Sequence, residues 1–161
     1  MTIEFEVVTE IAAPPDIVFD LSLDIDEHLG SMADSGERAV GGVTSGKIGL
    51  GEEVTWRARH FGIPFTMTSR VTSLDRPRRF VDEQVSGPFR RFHHEHTFDP
   101  TDTRTRMVDR ITFDAPFGPI GRATEMLVLG RYLRHLIEVR GEYLKGVAES
   151  TDQTDDSNGS P

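Results

Sequence analysis

The chain has 161 residues, about one domain of sequence, and a formal net charge of −9. It contains no cysteine, which excludes disulfides, zinc–thiolate sites, iron–sulfur clusters and cysteine nucleophiles. The acidic total argues against nucleic-acid binding, because phosphate neutralisation needs clustered Lys and Arg. No apolar run approaches the roughly 18–20 residues of a membrane helix, and the N-terminus lacks signal-peptide features. We therefore expect a cytoplasmic protein without an integral membrane segment.

The N-terminal third predicts a strand, two short helices and an irregular region. Residues 3–11 alternate between apolar and acidic side chains, the pattern of a half-buried strand. Pro14-Pro15-Asp16 indicates a helix start, because proline is tolerated in a first turn and acids suit the N-terminus. A second short helix is predicted over 24–29. The glycine-rich residues 30–51 are expected to form loops around a short strand at 38–40.

The middle of the chain alternates between strand patterns and turn signals. Strands joined by turns this short are antiparallel. Together with the two N-terminal strands they make a sheet of about seven strands. The predicted strands are 53–60, 65–74, 79–85, 89–98 and 106–113.

The C-terminal part predicts one long helix and a tail. After a Pro- and Gly-rich break at 115–119, apolar residues from Ile120 to about Ala148 recur near a period of 3.6. Residues 149–161 have no apolar side chain to bury, which is typical of a disordered acidic tail. We therefore expect one domain at 1–148 and a tail at 149–161.

This order of elements predicts a cavity. A twisted antiparallel sheet with one apolar face must cover that face, and only the C-terminal helix is long enough to do so. A cylinder cannot fill a concave sheet completely. The space left between them is a natural site for a small molecule.

Several short sequences occur within this order. They are Ile11-Ala12-Ala13-Pro14-Pro15, Phe61-Gly62-Ile63-Pro64, Phe80-Val81-Asp82-Glu83-Gln84, Gly87-Pro88-Phe89, His94-Glu95-His96 and Pro116-Phe117-Gly118-Pro119-Ile120-Gly121. With the element order over 3–148, they resemble a bacterial and archaeal subgroup of the START/polyketide-cyclase superfamily. The resemblance implies an α+β helix-grip fold, in which a curved antiparallel sheet wraps around the long C-terminal helix and leaves an apolar cavity. The superfamily includes lipid carriers, aromatic cyclases, hormone receptors and chaperone activators, so it implies no particular catalytic residue.

Two histidines mark the predicted strand 89–98. His94 and His96 share a face with large apolar residues, which suits a cavity lining. If the next turn pairs Phe98 with Met107, His96 lies opposite Asp109. Such a group could perform acid–base chemistry, hold a metal ion with His94 as a further ligand, or form a structural buried pair. The sequence leaves these alternatives open.

Asp82 and Gln84 are two further candidate ligand contacts, and the strand register decides whether their side chains face the cavity. If Gln84 pairs with Arg90, then Asp82 faces the same way as Phe92 and His94, whereas a one-residue slip sends them outward. Side chains on the predicted inner face of the sheet are candidate ligand contacts. The expected ligand-binding residues are Trp56, Phe65, Met67, Asp82, Gln84, Phe92, His94, His96, Asp109 and Ile111.

We expect the protein to bind an apolar or aromatic small molecule (a lipid, a quinone or a polyketide-like compound), with no cofactor and no metal ion. One alternative is a cyclase- or dehydratase-type enzyme that uses His94 or His96 with Asp109. Another is a protein-interaction module that uses an arginine-rich sheet face. The face would carry Arg57, Arg59, Arg70, Arg78, Arg79, Arg90, Arg91 and Arg110. The sequence does not indicate the oligomeric state.

One motif is discounted. Residues 41–48 nearly spell a phosphate-binding P-loop, but Ile48 stands where Ser or Thr should hold magnesium. Glycines follow where a helix should begin, so we expect a loop that could edge the cavity mouth.

Overall fold

The computed structural model describes residues 2–102, 104–114 and 122–158. Its elements are β1 (Thr2–Ile11), α1 (Pro15–Ser22), α2 (Ile25–Ser31), a short 3-10 helix (Ala33–Ser35), β2 (Arg38–Gly42), β3 (Glu53–His60), β4 (Ile63–Asp75), β5 (Arg79–Ser86), β6 (Arg91–Thr101), β7 (Arg104–Asp114) and α3 (Arg122–Asn158). The seven strands form one antiparallel sheet in the order β1-β7-β6-β5-β4-β3-β2. The predicted helix-grip fold is confirmed.

The sheet curves around α3. The long strand β4 has two register irregularities against β5, and such bulges bend a strand and increase its twist. Helix α3 packs on β1, α1 and α2. Its approach to β1 is close at Gly141, where a Cβ would come within 2.5 Å of the Thr9 hydroxyl. A glycine inside this helix therefore serves close packing.

Two apolar clusters pack on the concave face of the sheet. The first joins α1 to the central strands through Phe19, which makes edge contacts with Phe80 and Phe98. The second lies between β1, β6 and β7 and includes Phe92 and Phe113. Partly buried residues of α3 pack against both clusters. The alternation of apolar side chains along the strands thus gives the sheet one apolar face, and residues of α3 pack against it.

Several element ends differ by a few residues from the sequence prediction, since β4 begins at Ile63 instead of 65 and β6 begins at Arg91 instead of 89. The hairpin between β6 and β7 is tighter than expected, because Asp99 pairs with Arg106 and Pro100 with Thr105. Helix α3 continues to Asn158, past the boundary predicted at 148/149, into residues expected to be disordered. Along this extension, the hydroxyl groups of Ser150 and Thr151 donate to carbonyls four residues earlier, and Glu149 accepts from the backbone N–H of Ala12.

Some predicted features lie outside the described residues, namely the break at 115–119, the helix start at Ile120 and the last residues, 159–161. Across 2–102, 104–114 and 122–158, none of the helices combines the length and the hydropathy needed to cross a bilayer.

Candidate ligand-binding site

A cavity of about 240 Å³ lies between the concave face of the sheet and α3. This volume is well above the ~10–15 Å³ that a cavity needs to hold one water molecule. Most of its lining is apolar or aromatic, as in sites for small organic molecules. The strands from β3 to β7 form one wall, and α3 contributes Leu133, Leu136 and Ile137 to the other.

Eight of the ten expected ligand-binding residues line this cavity. They are Trp56, Phe65, Met67, Asp82, Phe92, His94, His96 and Ile111. Asp109 lies behind the lining, fully buried, and contacts His94. Gln84 does not line the cavity, because its amide bonds to both the N–H and the carbonyl of Phe89 and closes the turn between β5 and β6.

Strand register explains these placements. Between β6 and β7, His96 lies opposite Asp109, which confirms the pairing predicted from the sequence. Between β5 and β6, Asp82 lies opposite His94, whereas the register inferred from Gln84 and Arg90 would place it opposite Phe92. The difference is two residues. Because side chains alternate with a period of two, the predicted face is retained.

A polar cluster formed by Asp82, His94, His96, Asp109 and Arg140 interrupts the apolar lining. Nε2 of His94 lies 2.9 Å from Oδ1 of Asp109, and Nε2 of His96 lies 2.8 Å from Oδ2 of Asp82. The two imidazole rings are 3.7 Å apart between centroids. Nδ1 of His96 is also 2.8 Å from Oδ1 of Asp109, but it is poorly aligned for a hydrogen bond.

Arg140 is the member that the sequence reasoning missed. It is buried, and its guanidinium donates to Oδ1 of Asp109 and to the carbonyl of Ser22, each at 3.2 Å. A signal was present, since Arg140 interrupts the apolar stripe that contains Ile137 and Leu144. A charged residue in such a stripe needs a buried counter-charge, and Asp109 supplies it.

Burial and mutual contacts shift the pKa values of this cluster. Burial lowers the pKa of His94 to about 4, and the adjacent His96 acts in the same direction. Burial alone would raise the pKa of Asp109, but the hydrogen bond from His94, the nearby His96 and the charge of Arg140 hold it well below its ordinary value. The pKa of Asp82 is also lowered, because its bond with His96 and the nearby charges outweigh burial. At neutral pH both carboxyls are ionised and His94 is uncharged.

The cluster has a composition that metal sites use. Asp82, His94 and His96 bring possible ligand atoms within 4.8 Å of one another, and two histidines with one carboxylate can bind iron. A metal ion must lie near the plane of each imidazole, about 2.0–2.1 Å from its nitrogen. The two rings instead lie against each other, with centroids 3.7 Å apart and planes tilted by 32°. Their geometry therefore favours hydrogen bonding over metal ligation.

The other candidate regions have local structural roles. On the opposite face of the sheet, Arg79 pairs with Glu95. Arg70, which is also among the residues that line the cavity, pairs with Glu53. These contacts leave the interaction-module hypothesis a prediction. The P-loop-like segment is a loop whose Gly46 N–H donates to Asp26, and its last residue, Ile48, lines the cavity.

Comparison with known proteins agrees with this architecture. A family model described as polyketide cyclase/dehydrase and lipid transport matches residues 2–149. The chain belongs to this family. Its members' common description supports ligand binding or a cyclase function. None of the curated proteins matches the chain in sequence.

Solved structures show the same fold at low sequence identity. Zhui aromatase/cyclase from a Streptomyces species is 18% identical with a TM-score of 0.75, over 92% of this chain and 94% of that one. The protein TTHA0849 from Thermus thermophilus is 19% identical with a TM-score of 0.71, over 91% and 99% of the two chains. Ginseng major latex-like protein 151 from Panax ginseng is 12% identical with a TM-score of 0.64, over 91% and 97%.

Proposed function

We propose that the protein binds an apolar or aromatic small molecule, such as a lipid, a quinone or a polyketide-like compound, in the cavity between the sheet and α3, and that it does so in the cytoplasm. The observation that carries this proposal is a mostly apolar cavity of about 240 Å³ whose lining includes Asp82, His94, His96 and Arg140 of the polar cluster. Burial of apolar ligand surface contributes about 25 cal/mol per Å², reduced by the cost of ordering the ligand.

The polar cluster would orient the bound molecule. An apolar lining holds a ligand without fixing its direction, and a few convergent polar groups fix it. Asp82 and His94 both line the cavity. A ligand with one polar end would place that end against these two residues and its apolar part against Trp56 and Met67.

Native mass spectrometry of the protein purified from its source tests this function. We expect a mass excess of a few hundred daltons that organic solvent removes. Ala58→Leu should reduce the excess, because Ala58 is buried and lines the cavity. Thr66→Leu should retain it, because Thr66 is exposed on the same hairpin. An unchanged mass, together with no emission shift of an added apolar dye, would contradict the proposal.

A second function, acid–base catalysis in the same cavity, is favoured by the buried contact between His94 and Asp109. An uncharged imidazole can accept a proton, and the carboxylate stabilises the imidazolium that forms. Turnover of a polyketide-like substrate should then be lost in His94→Gln. Because burial lowers the pKa of His94 to about 4, the acid limb of the pH–rate profile should lie near that pH instead of near neutrality. Turnover unchanged in His94→Gln and His96→Gln would contradict this function.

A further inference from the structure

The hydrogen-bonding state of His94 determines what the cluster offers to a ligand. Asp109 is ionised and can only accept, so Nε2 of His94, 2.9 Å away, carries the hydrogen. His94 is uncharged at neutral pH. A neutral imidazole has one N–H and one acceptor nitrogen. Nδ1 of His94 is therefore an acceptor.

A second acceptor stands beside it. Oδ2 of Asp82 accepts from His96 and lies 3.9 Å from Nδ1 of His94. Neither atom donates to the other. The side chain of Asp82 is 24% exposed and lines the cavity, so its carboxylate has acceptor capacity left for a bound molecule. An oxygen placed between the two acceptors can lie within hydrogen-bond distance of both.

The donors of the cluster are directed at protein groups. Arg140 donates to Asp109 and to the carbonyl of Ser22, and it is 4% exposed. Among the described residues that line the cavity, the other arginine is Arg70, which pairs with Glu53. Both guanidinium groups are thus already paired with a carboxylate of the protein.

We propose that the cavity selects ligands whose buried polar end is a neutral hydroxyl group, an alcohol or a phenol, and that it discriminates against carboxylates. This inference rests on the proposed function and names its ligand class. The hydroxyl donates to Nδ1 of His94 or to Asp82. A carboxylate offers no donor for these acceptors, and it meets the ionised carboxylate of Asp82, which lines the cavity.

Three ligands of similar length test the selectivity: decanol, its isomer methyl nonyl ether, which cannot donate, and decanoate. Trp56 is the only tryptophan and lines the cavity, so its emission reports binding directly. We expect decanol to bind about tenfold more tightly than the ether, the effect of one hydrogen bond to a charged or strong acceptor. Decanoate should bind most weakly at neutral pH.

The outcomes separate the two proposals. Equal affinities for decanol and the ether, or tighter binding of decanoate than of decanol, would overturn the selectivity while leaving cavity binding intact. If none of the three ligands changes the emission of Trp56, cavity binding itself fails.

Asp82→Asn provides the matched variant. Asparagine is neutral and adds N–H donors, so the preference for decanol over decanoate should narrow at least tenfold. Asp99→Asn is the control, because Asp99 is exposed at the far end of β6, and it should keep the full preference. A full preference in Asp82→Asn would also overturn the proposal. If that variant does not fold, the affinities of the unmodified protein for the three ligands test the selectivity on their own.

Discussion

His93 and His94 are neighbours in β6, yet they lie in different environments. His93 faces outward and bonds to Glu83, whose side chain is 37% exposed. His94 faces the cavity and bonds to Asp109, which is fully buried. Strand alternation alone separates the two pairs. The same side-chain types form a hydrated surface contact on one face and part of a candidate ligand site on the other.

The energetic consequences of the two pairs differ. An exposed ion pair contributes little to the stability of the folded protein, because water screens the charges and two side chains must be ordered. A buried pair loses hydration, and removal of one member leaves the other charged and without a partner. Asp109 touches both His94 and Arg140, so its loss affects the whole cluster.

Removal of the buried charge should have the largest effect. We expect Asp109→Asn to lower the free energy of unfolding by about 3–5 kcal/mol, because the guanidinium of Arg140 is left buried without its counter-charge. Glu83→Gln is the control on the outer face and should cost less than about 1 kcal/mol. Urea unfolding at neutral pH measures both. Similar losses in the two variants would remove the distinction between the faces.

The second-largest effect is expected from acidification, which should lower the free energy of unfolding through His94 on the inner face. His94 has an ordinary pKa of 6.5 and a folded-state pKa of about 4. Between these values the unfolded chain binds a proton that the folded protein does not, so stability falls as the pH is lowered. The loss expected from His94 is roughly 3 kcal/mol over this window. Asp82 and Asp109 have lowered pKa values and add their loss only in more acidic solution.

The control for this titration is again the neighbouring residue. Urea unfolding at several pH values should show a shallower dependence in His94→Gln than in the unmodified protein. His93→Gln should keep the dependence between pH 6.5 and 4.5, because it leaves the cluster of His94, His96, Asp82, Asp109 and Arg140 in place. Below that range it loses only the contribution of Glu83, whose pKa is lowered by the bond from His93. The same slope in His94→Gln as in the unmodified protein would contradict burial of a neutral His94.

The inner face was largely predictable from the sequence. Alternation along β6 placed His94 and His96 on one side, and the short turn to β7 predicted Asp109 opposite His96. The register between β5 and β6 was not predictable, because Gln84 bonds to Phe89 and alters the turn. Its two-residue difference left the face of Asp82 unchanged.

Arg140 and the end of α3 show the limit of local patterns. Arg140 meets Asp109 across 31 positions of sequence, and only the packing of α3 on the sheet reveals its partner. Past Ala148, helix α3 carries Glu149, which accepts from the backbone N–H of Ala12, 137 positions away in the sequence. The disordered tail was predicted because residues 149–161 have no apolar side chain, and that composition contains no information about such a contact.

Nitrogen NMR of the histidine side chains during a decanol titration tests the central claim most directly. If an apolar ligand binds in the cavity with its hydroxyl at the polar cluster, the ring signals of His94 should move and saturate, with the largest change at Nδ1. The signals of His93, one residue away on the outer face, should stay in place. Movement of His93 with an unchanged His94, while the emission of Trp56 reports binding, would contradict the account.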